Sequence, residues 1–444
     1  MKVPFKVVSG SITAPKGFRA AGVFCDIKRL GTGKGSQKGK KRDIALIISA
    51  VPATVAGMFT TNQVCAAPVK VCVERVKGGI AQAIVVNSGN ANACTGKQGM
   101  KDALEMTSVV ADQFHLSKQY VLVGSTGRIG VTMPMENVKS GIKDAAWRVN
   151  STTENANQVA EAIMTSDTKP KQIAVEVQLG GKTVTIGGIC KGAGMIQPGM
   201  SATGARPAAV PQGLHATMLS FITTDAAIQA SVLQVALEEA TAQSFNRITV
   251  DGDMSTNDTV LVLANALAEN DAITSVKSKD FAAFQTALNY VCLELAKMIV
   301  RDGEGVSRFV TVRVNGAKTF ADADSAARAV ANSALVKTSW NGGDPNWGRI
   351  IDAIGYSAAT VVEEKVDIGY SAPGSKKIIL SLKRGQPTKS TFKALCAAVA
   401  PKEFDLHINL NVGKAGALMY AADLTEEYVE FNKGDVTDPG SLGG

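Results

Sequence analysis

Histidine is scarce in this 444-residue chain. Its three copies, His115, His215 and His407, stand far apart, and no pair has the spacing that places two imidazoles on one helix face. A histidine-built metal site is therefore not expected, and none is assigned. A Ser-His-Asp hydrolase has equally little support, because no GxSxG elbow is present. The seven cysteines (25, 65, 72, 94, 190, 292 and 396) are odd in number and form no CxxC pair, so they read as small buried side chains in a reducing compartment. Neither a GxGxxG between strand and helix nor a GxxxxGK[ST] phosphate loop occurs. Charged residues make up only 19%, below the usual quarter of a globular chain, which argues against disorder. The longest uncharged run, Ile44 to Val69, contains Pro52, Pro68, Asn62 and Gln63, so it reads as buried strand-turn-strand and not as a membrane span. The first residues lack the apolar stretch of a secretory signal and the Arg/Ser bias of a transit peptide, which places the expected location in the cytoplasm.

What is present describes an α/β protein. Short β-rich runs, Ala83–Val86, Tyr120–Val123, Phe309–Val314, Lys377–Leu382 and Leu406–Leu410, alternate with helical patterns. Ser151-Thr152-Thr153-Glu154 reads as a capping box opening a helix to about Met164. Phe281, Phe284, Leu288, Val291, Cys292, Leu295, Met298 and Ile299 recur at helical spacing, and that helix should stop at Asp302-Gly303. Net charge is +8, from 47 Lys and Arg against 39 Asp and Glu. Much of the excess sits in Lys34–Arg42, which reads as a solvated hairpin turn before the strand Asp43–Ser49; with no interleaved aromatics, a nucleic-acid partner is not expected. Asp251–Asp258 imitates a calcium loop but lacks the glycine at the sixth position and the glutamate at the twelfth, so it reads as a polar turn after Arg247–Val250.

Between Pro198 and Leu214 prolines and glycines crowd together, which predicts an exposed loop. It leads into the apolar run Ala216–Ile222. A threonine at such a junction can act without histidine: once the preceding peptide bond is cut, its own α-amine becomes the base. That amine, with an ordinary pKa of about 7.7–8.0, is partly neutral near physiological pH. Thr217 is the candidate, although sequence physics alone favours an ordinary β-branched strand residue there.

Lys191-Gly192-Ala193-Gly194-Met195-Ile196-Gln197-Pro198, followed by His215-Ala216-Thr217-Met218-Leu219-Ser220-Phe221-Ile222-Thr223-Thr224-Asp225-Ala226, resembles the signature of the ornithine acetyltransferase family, self-cleaving enzymes of arginine biosynthesis. Further matches in order are Asn87–Gly96, Ser125–Gly130, Met164–Thr168, Asn246–Thr259, Asp344–Ile350, Asp423–Thr425 and Tyr428–Asn432. The resemblance implies layered sheets and helices of the N-terminal-nucleophile-like type. It implies cleavage between Ala216 and Thr217, giving an alpha chain 1–216 and a beta chain 217–444 assembled as a heterotetramer of two of each. Thr217 would carry acetyl from N-acetylornithine to glutamate, with Thr126 and Gly127 as the oxyanion hole. Thr165, Lys191, Thr217, Glu304, Asn432 and Thr437 would contact substrate. No cofactor is implied; members differ in whether acetyl-CoA also serves as donor, so that use stays open.

Three departures from the family pattern stand out. An insertion of about fifteen residues lies between Pro198 and the Ala-Thr pair and brings a second pair, Ala202-Thr203. The tail keeps the Asn432-to-Thr437 spacing but loses the usual tyrosine, and Arg128 replaces an aliphatic residue. Two other readings stand beside acetyl transfer: a related N-terminal-nucleophile aminopeptidase or amidohydrolase, and an unprocessed homologue that binds ligand without turnover.

Overall fold

The computed structural model describes residues 4–28, 41–205 and 218–433. They form two compact units, one holding the described residues up to Asn246 together with Asp253–Ile299, the other Arg247–Gly252 and Val300–Lys433. Both are mixed α/β, as expected.

The first unit is built on a ten-stranded sheet. Its order runs Phe5–Val8, Lys171–Leu179, Lys182–Lys191, Leu219–Thr224, Thr259–Ala264, Ile44–Thr60, Ile80–Asn90, Val121–Arg128, with Phe18–Val23 and Met200–Ser201 added to Ile44–Thr60. Leu219–Thr224 is parallel to Thr259–Ala264 and antiparallel to Lys182–Lys191. All six of its residues are buried, which is why they read as a continuous apolar-and-threonine run and not as an alternating strand.

The expected strand-turn-strand over Ile44 to Val69 is corrected: Ile44–Thr60 is one 17-residue strand, and Ala67–Val76 is a helix. Pro52 is accommodated because the strand changes partner there. Phe18–Val23 pairs with residues 44–49, Thr259–Ala264 pairs with residues 54–59, and the register against Ile80–Asn90 shifts between Ile48 and Ala53. The missing N–H of proline falls where no ladder continues. Pro68 stands in the first turn of the helix, where its fixed φ helps.

Helix Thr153–Ala162 is capped by Thr152, whose Oγ1 accepts from Asn155 N–H, so Ser151 is not the cap and the helix ends two residues before Met164. It packs on Phe18–Val23 at Gly22, where a Cβ would lie 2.1 Å from the Gln158 carbonyl oxygen. Arg42, read as solvated, is half-buried and joins the same two elements: Nε donates to Gly22 O at 3.1 Å and Nη1 pairs with Glu161 at 2.6 Å. Lys34–Lys40 lie outside the described residues. Helix Lys279–Arg301 closes on strand Lys182–Lys191 through Val291 and Leu295 at Gly188. The helical stripe read from the sequence is thus core, and the helix stops just before Asp302-Gly303 as expected.

The second unit carries a seven-stranded sheet ordered Ile248–Thr249, Ala415–Ala422, Phe309–Ala317, Glu403–Asn409, Asp367–Ser371, Ile379–Lys383, Gln386–Pro387. Helix Phe320–Asn332 packs on its centre, held by a Thr319–Asp322 capping box. The Asp344–Ile350 motif is structural in this unit: Asn346 caps helix Trp347–Gly355, and Arg349 donates to Leu335 O at 2.8 Å.

Because the obstacle at Gly22 is helix backbone and not a side-chain tip, Gly22→Ala must push helix Thr153–Ala162 off its strand. A loss of about 1–3 kcal/mol is expected in urea unfolding.

Candidate active site

The predicted oxyanion pair sits where two strand ends meet. Val121–Arg128 runs parallel to Ile80–Asn90 with Ser88 opposite Thr126 and Gly89 opposite Gly127, and the ladder becomes irregular at Asn90. Gly127 has φ +132°, and a Cβ there would come within 2.3 Å of the Gly89 carbonyl carbon. Only glycine permits both the conformation and the approach. An amide network fixes this corner. Ser125 Oγ donates to Asn87 Oδ1 at 2.6 Å, Asn87 Nδ2 to Asn90 O at 2.8 Å, and Asn257 Nδ2 to both Ser125 O and Ala91 O, at 2.8 and 2.7 Å. Thr126 is 1% exposed, and its Oγ1 has no partner among the described residues. Leaving a hydroxyl so costs about 1–3 kcal/mol, and it keeps a donor available at the corner.

Lys191, at the end of its strand, is also buried. Its Nζ lies 4.0 Å from Asp167 Oδ2, while Lys171 Nζ lies 2.6 Å from Oδ1. Gly192 N–H donates to Oδ1 at 2.7 Å and Thr165 N–H to Oδ2 at 3.0 Å. Burial alone would raise the Asp167 carboxyl, but the two ammonium groups and the Gly192 amide hold it well below the ordinary carboxylate range. Asp167 thereby joins Thr165 to Lys191, two of the residues expected to touch substrate.

The segment read as a polar turn, Asp251–Asp258, has neither helix nor strand, and its second half, Ser255, Thr256, Asn257 and Asp258, is buried. Asp258 Oδ1 accepts from Met218 N–H at 2.5 Å, and Oδ2 has no partner among the described residues. Burial pushes this carboxyl well above its ordinary pKa, against the lowering effects of the Met218 amide, Lys191 and the Ser255 amide. The loop expected to be exposed from Pro198 onward is partly core. Gln197 and Pro198 are buried, and Met200–Ser201 pairs with Phe59–Thr60. Neither amide atom of Gln197 has a partner among the described residues. Asp258 and Gln197 were missed from the sequence; the available signal was a carboxylate abutting the apolar run Thr259–Ala264. Ala216, Thr217 and Thr437 lie outside the described residues.

Glu304 and Asn432 meet within the second unit, where Asn432 Nδ2 donates to Glu304 Oε2 at 3.0 Å. Gly305, at φ +64°, lets this turn approach the tail: a Cβ would lie 2.4 Å from Tyr428 N. Thr425 Oγ1 donates to Gly305 O at 2.7 Å and caps helix Glu426–Phe431. Asp423 accepts from the Ser307 and Arg308 amides, both at 2.9 Å.

A glycine corner with an orphaned buried hydroxyl, in the same unit as a buried lysine, suits stabilisation of an acyl oxyanion and orientation of a carboxylate, the needs of an acyl-transfer enzyme. Residues 20–435 match the ArgJ family, and the chain belongs to it. An arginine biosynthesis bifunctional protein from Symbiobacterium thermophilum is 46% identical over 96% of this chain and 98% of its own. A glutamate N-acetyltransferase from Methanocaldococcus jannaschii is 44% identical, covering 96% and 98%. A crystallised ornithine acetyltransferase from Mycobacterium tuberculosis, in complex with ornithine, is 34% identical and covers 44% of this chain and 100% of its own, with a TM-score of 0.40. Among the described residues no helix is long and apolar enough to cross a membrane.

Asp167→Asn removes the carboxylate that both buried lysines face, and a loss of about 3–5 kcal/mol is expected in chemical denaturation at pH 7. The depressed carboxyl contributes stability that is present above the unfolded-state pKa, about 3.9, and is lost as pH falls below it. The variant should lack that part of the acid-side slope.

Proposed function

We propose that this chain is a cytoplasmic glutamate N-acetyltransferase that moves acetyl from N2-acetyl-L-ornithine to L-glutamate through an acetyl-Thr217 ester, after cutting itself between Ala216 and Thr217. The observation that carries the reading is the orphaned Thr126 hydroxyl beside the glycine corner at Gly127, in a chain that aligns over 96% of its length with a relative named glutamate N-acetyltransferase.

In maturation, Thr217 Oγ attacks the Ala216 carbonyl carbon. The peptide C–N bond breaks, the acyl group passes to Oγ as an ester, and the freed nitrogen becomes the Thr217 α-amine. Water opens the ester and leaves a carboxylate on Ala216. In turnover, that amine takes the Oγ proton as Oγ attacks the acetyl carbonyl. Thr126 and Gly127 stabilise the oxyanion, and the proton moves to the departing ornithine nitrogen. The α-amine of glutamate then attacks the acetyl ester, returns a proton to Oγ and leaves as N-acetylglutamate. Lys191 orients the α-carboxylate common to both amino acids, while Thr165, Glu304, Asn432 and Thr437 complete the substrate contacts. Acetyl-CoA as a further donor would form the same ester with its thiol leaving. Alpha chain 1–216 and beta chain 217–444 would assemble as a heterotetramer of two of each.

Intact-mass spectrometry of the purified protein should give two fragments joined at Ala216/Thr217, and a single full-length species for Thr217→Ala. Wild type should form N-acetylglutamate only with glutamate present. One full-length species in both proteins, without transfer, would sink this reading. Acetate release that ignores glutamate would make the enzyme a hydrolase.

A further inference from the structure

Met218 opens the third described stretch of the chain, within the first unit, and both of its backbone polar groups are held. Its N–H donates to Asp258 Oδ1 at 2.5 Å, and its carbonyl accepts from Thr259 N–H at 3.1 Å. Asp258 is itself seated in the sheet, since its carbonyl accepts from Thr60 N–H at 2.9 Å. The neighbouring Asn257 holds the Ser125 carbonyl, one residue ahead of Thr126. One two-residue segment therefore grips both the start of strand Leu219–Thr224 and the corner that carries the orphaned hydroxyl.

We propose that Asp258 is a positioning residue for the Thr217 nucleophile: by clamping the Met218 amide it fixes the peptide plane from which Thr217 departs, and it needs only a neutral acceptor to do so. The proposal rests on the function proposed above. A chain terminus created by cleavage frays unless it is tied down. Here the tie lies one residue inside the new terminus. An error of about 1 Å in a reacting group can cost on the order of 10²-fold in rate, so a lost clamp should be visible in the chemistry. The buried setting agrees with a neutral side chain: Asp258 is 0% exposed, and its carboxyl titrates well above its ordinary range through burial. Asparagine presents the same acceptor to Met218 with no charge, whereas leucine fills similar volume with no acceptor.

The test compares wild type, Asp258→Asn and Asp258→Leu as full chains. The readouts are the fraction cleaved and the rate constant for acetylation by N-acetylornithine in a single turnover, which does not depend on how much protein is folded. Asp258→Leu should slow acetylation about 10²-fold, or stall cleavage, which is the same loss at the earlier step. Among cleaved molecules the KM for glutamate should stay near wild type. Asp258→Asn should recover most of the rate. If Asp258→Leu does not fold, Asp258→Ala carries the same comparison. Acetylation at the wild-type rate in the leucine or alanine variant would overturn the proposal. So would an asparagine variant as slow as leucine, because charge and not the amide clamp would then be at work. A wild type that is neither cleaved nor acetylated refutes the proposed function instead, and is distinguishable on that ground.

Discussion

Burying the Asp167 carboxylate commits several segments of the first unit to one geometry. A lone carboxylate in that setting would be prohibitively unstable, and it persists because Lys171, Lys191 and the Gly192 and Thr165 amides surround it. Lys171 opens one strand and Lys191 closes the next, so the ion cluster sets where this hairpin ends. It also sets the position of Thr165 and of the Gly192–Pro198 turn. The placement of the lysine proposed to orient substrate is in this sense a by-product of a folding constraint.

The same economy holds at the glycine corner. Asn87, Asn90, Asn92 and Asn257 spend their amides on backbone carbonyls and on one another's neighbours, including Asn90 Nδ2 on Val131 O at 3.0 Å and Asn92 Nδ2 on Gly99 O at 2.8 Å. They replace ladder hydrogen bonds where the sheet becomes irregular. Thr126 is left out of that trade.

The fold class was legible because its signals are local. The apolar run Ala216–Ile222, whose described part enters strand Leu219–Thr224, and the helical stripe of residues 281–299 need no partner to be read. The continuity of Ile44–Thr60 was not legible, because Pro52 is a breaker only if a ladder must pass through it, and the change of partner is a tertiary fact. Thr152 displaced Ser151 as the helix cap because three hydroxyls in a row offer the same chemistry, and the choice among them falls to packing. At the candidate site, motif matching singled out Thr126, Gly127, Thr165 and Lys191 for the roles proposed above but assigned none to Asp258. Its importance comes from a contact with Met218 forty positions away in sequence.

Strand order carries a consequence for a chain cut after Ala216. Leu219–Thr224 and Thr259–Ala264 lie side by side between Lys182–Lys191 on one flank and Ile44–Thr60 on the other. Residues 1–216 alone would own two separated half-sheets, each ending in a raw edge open to foreign strands. The fragment that fills the gap is therefore a keystone, and reassembly after denaturation becomes a second-order reaction in competition with aggregation. Such a molecule folds reliably once, as an uncut precursor, and its lifetime thereafter is governed by how slowly it opens.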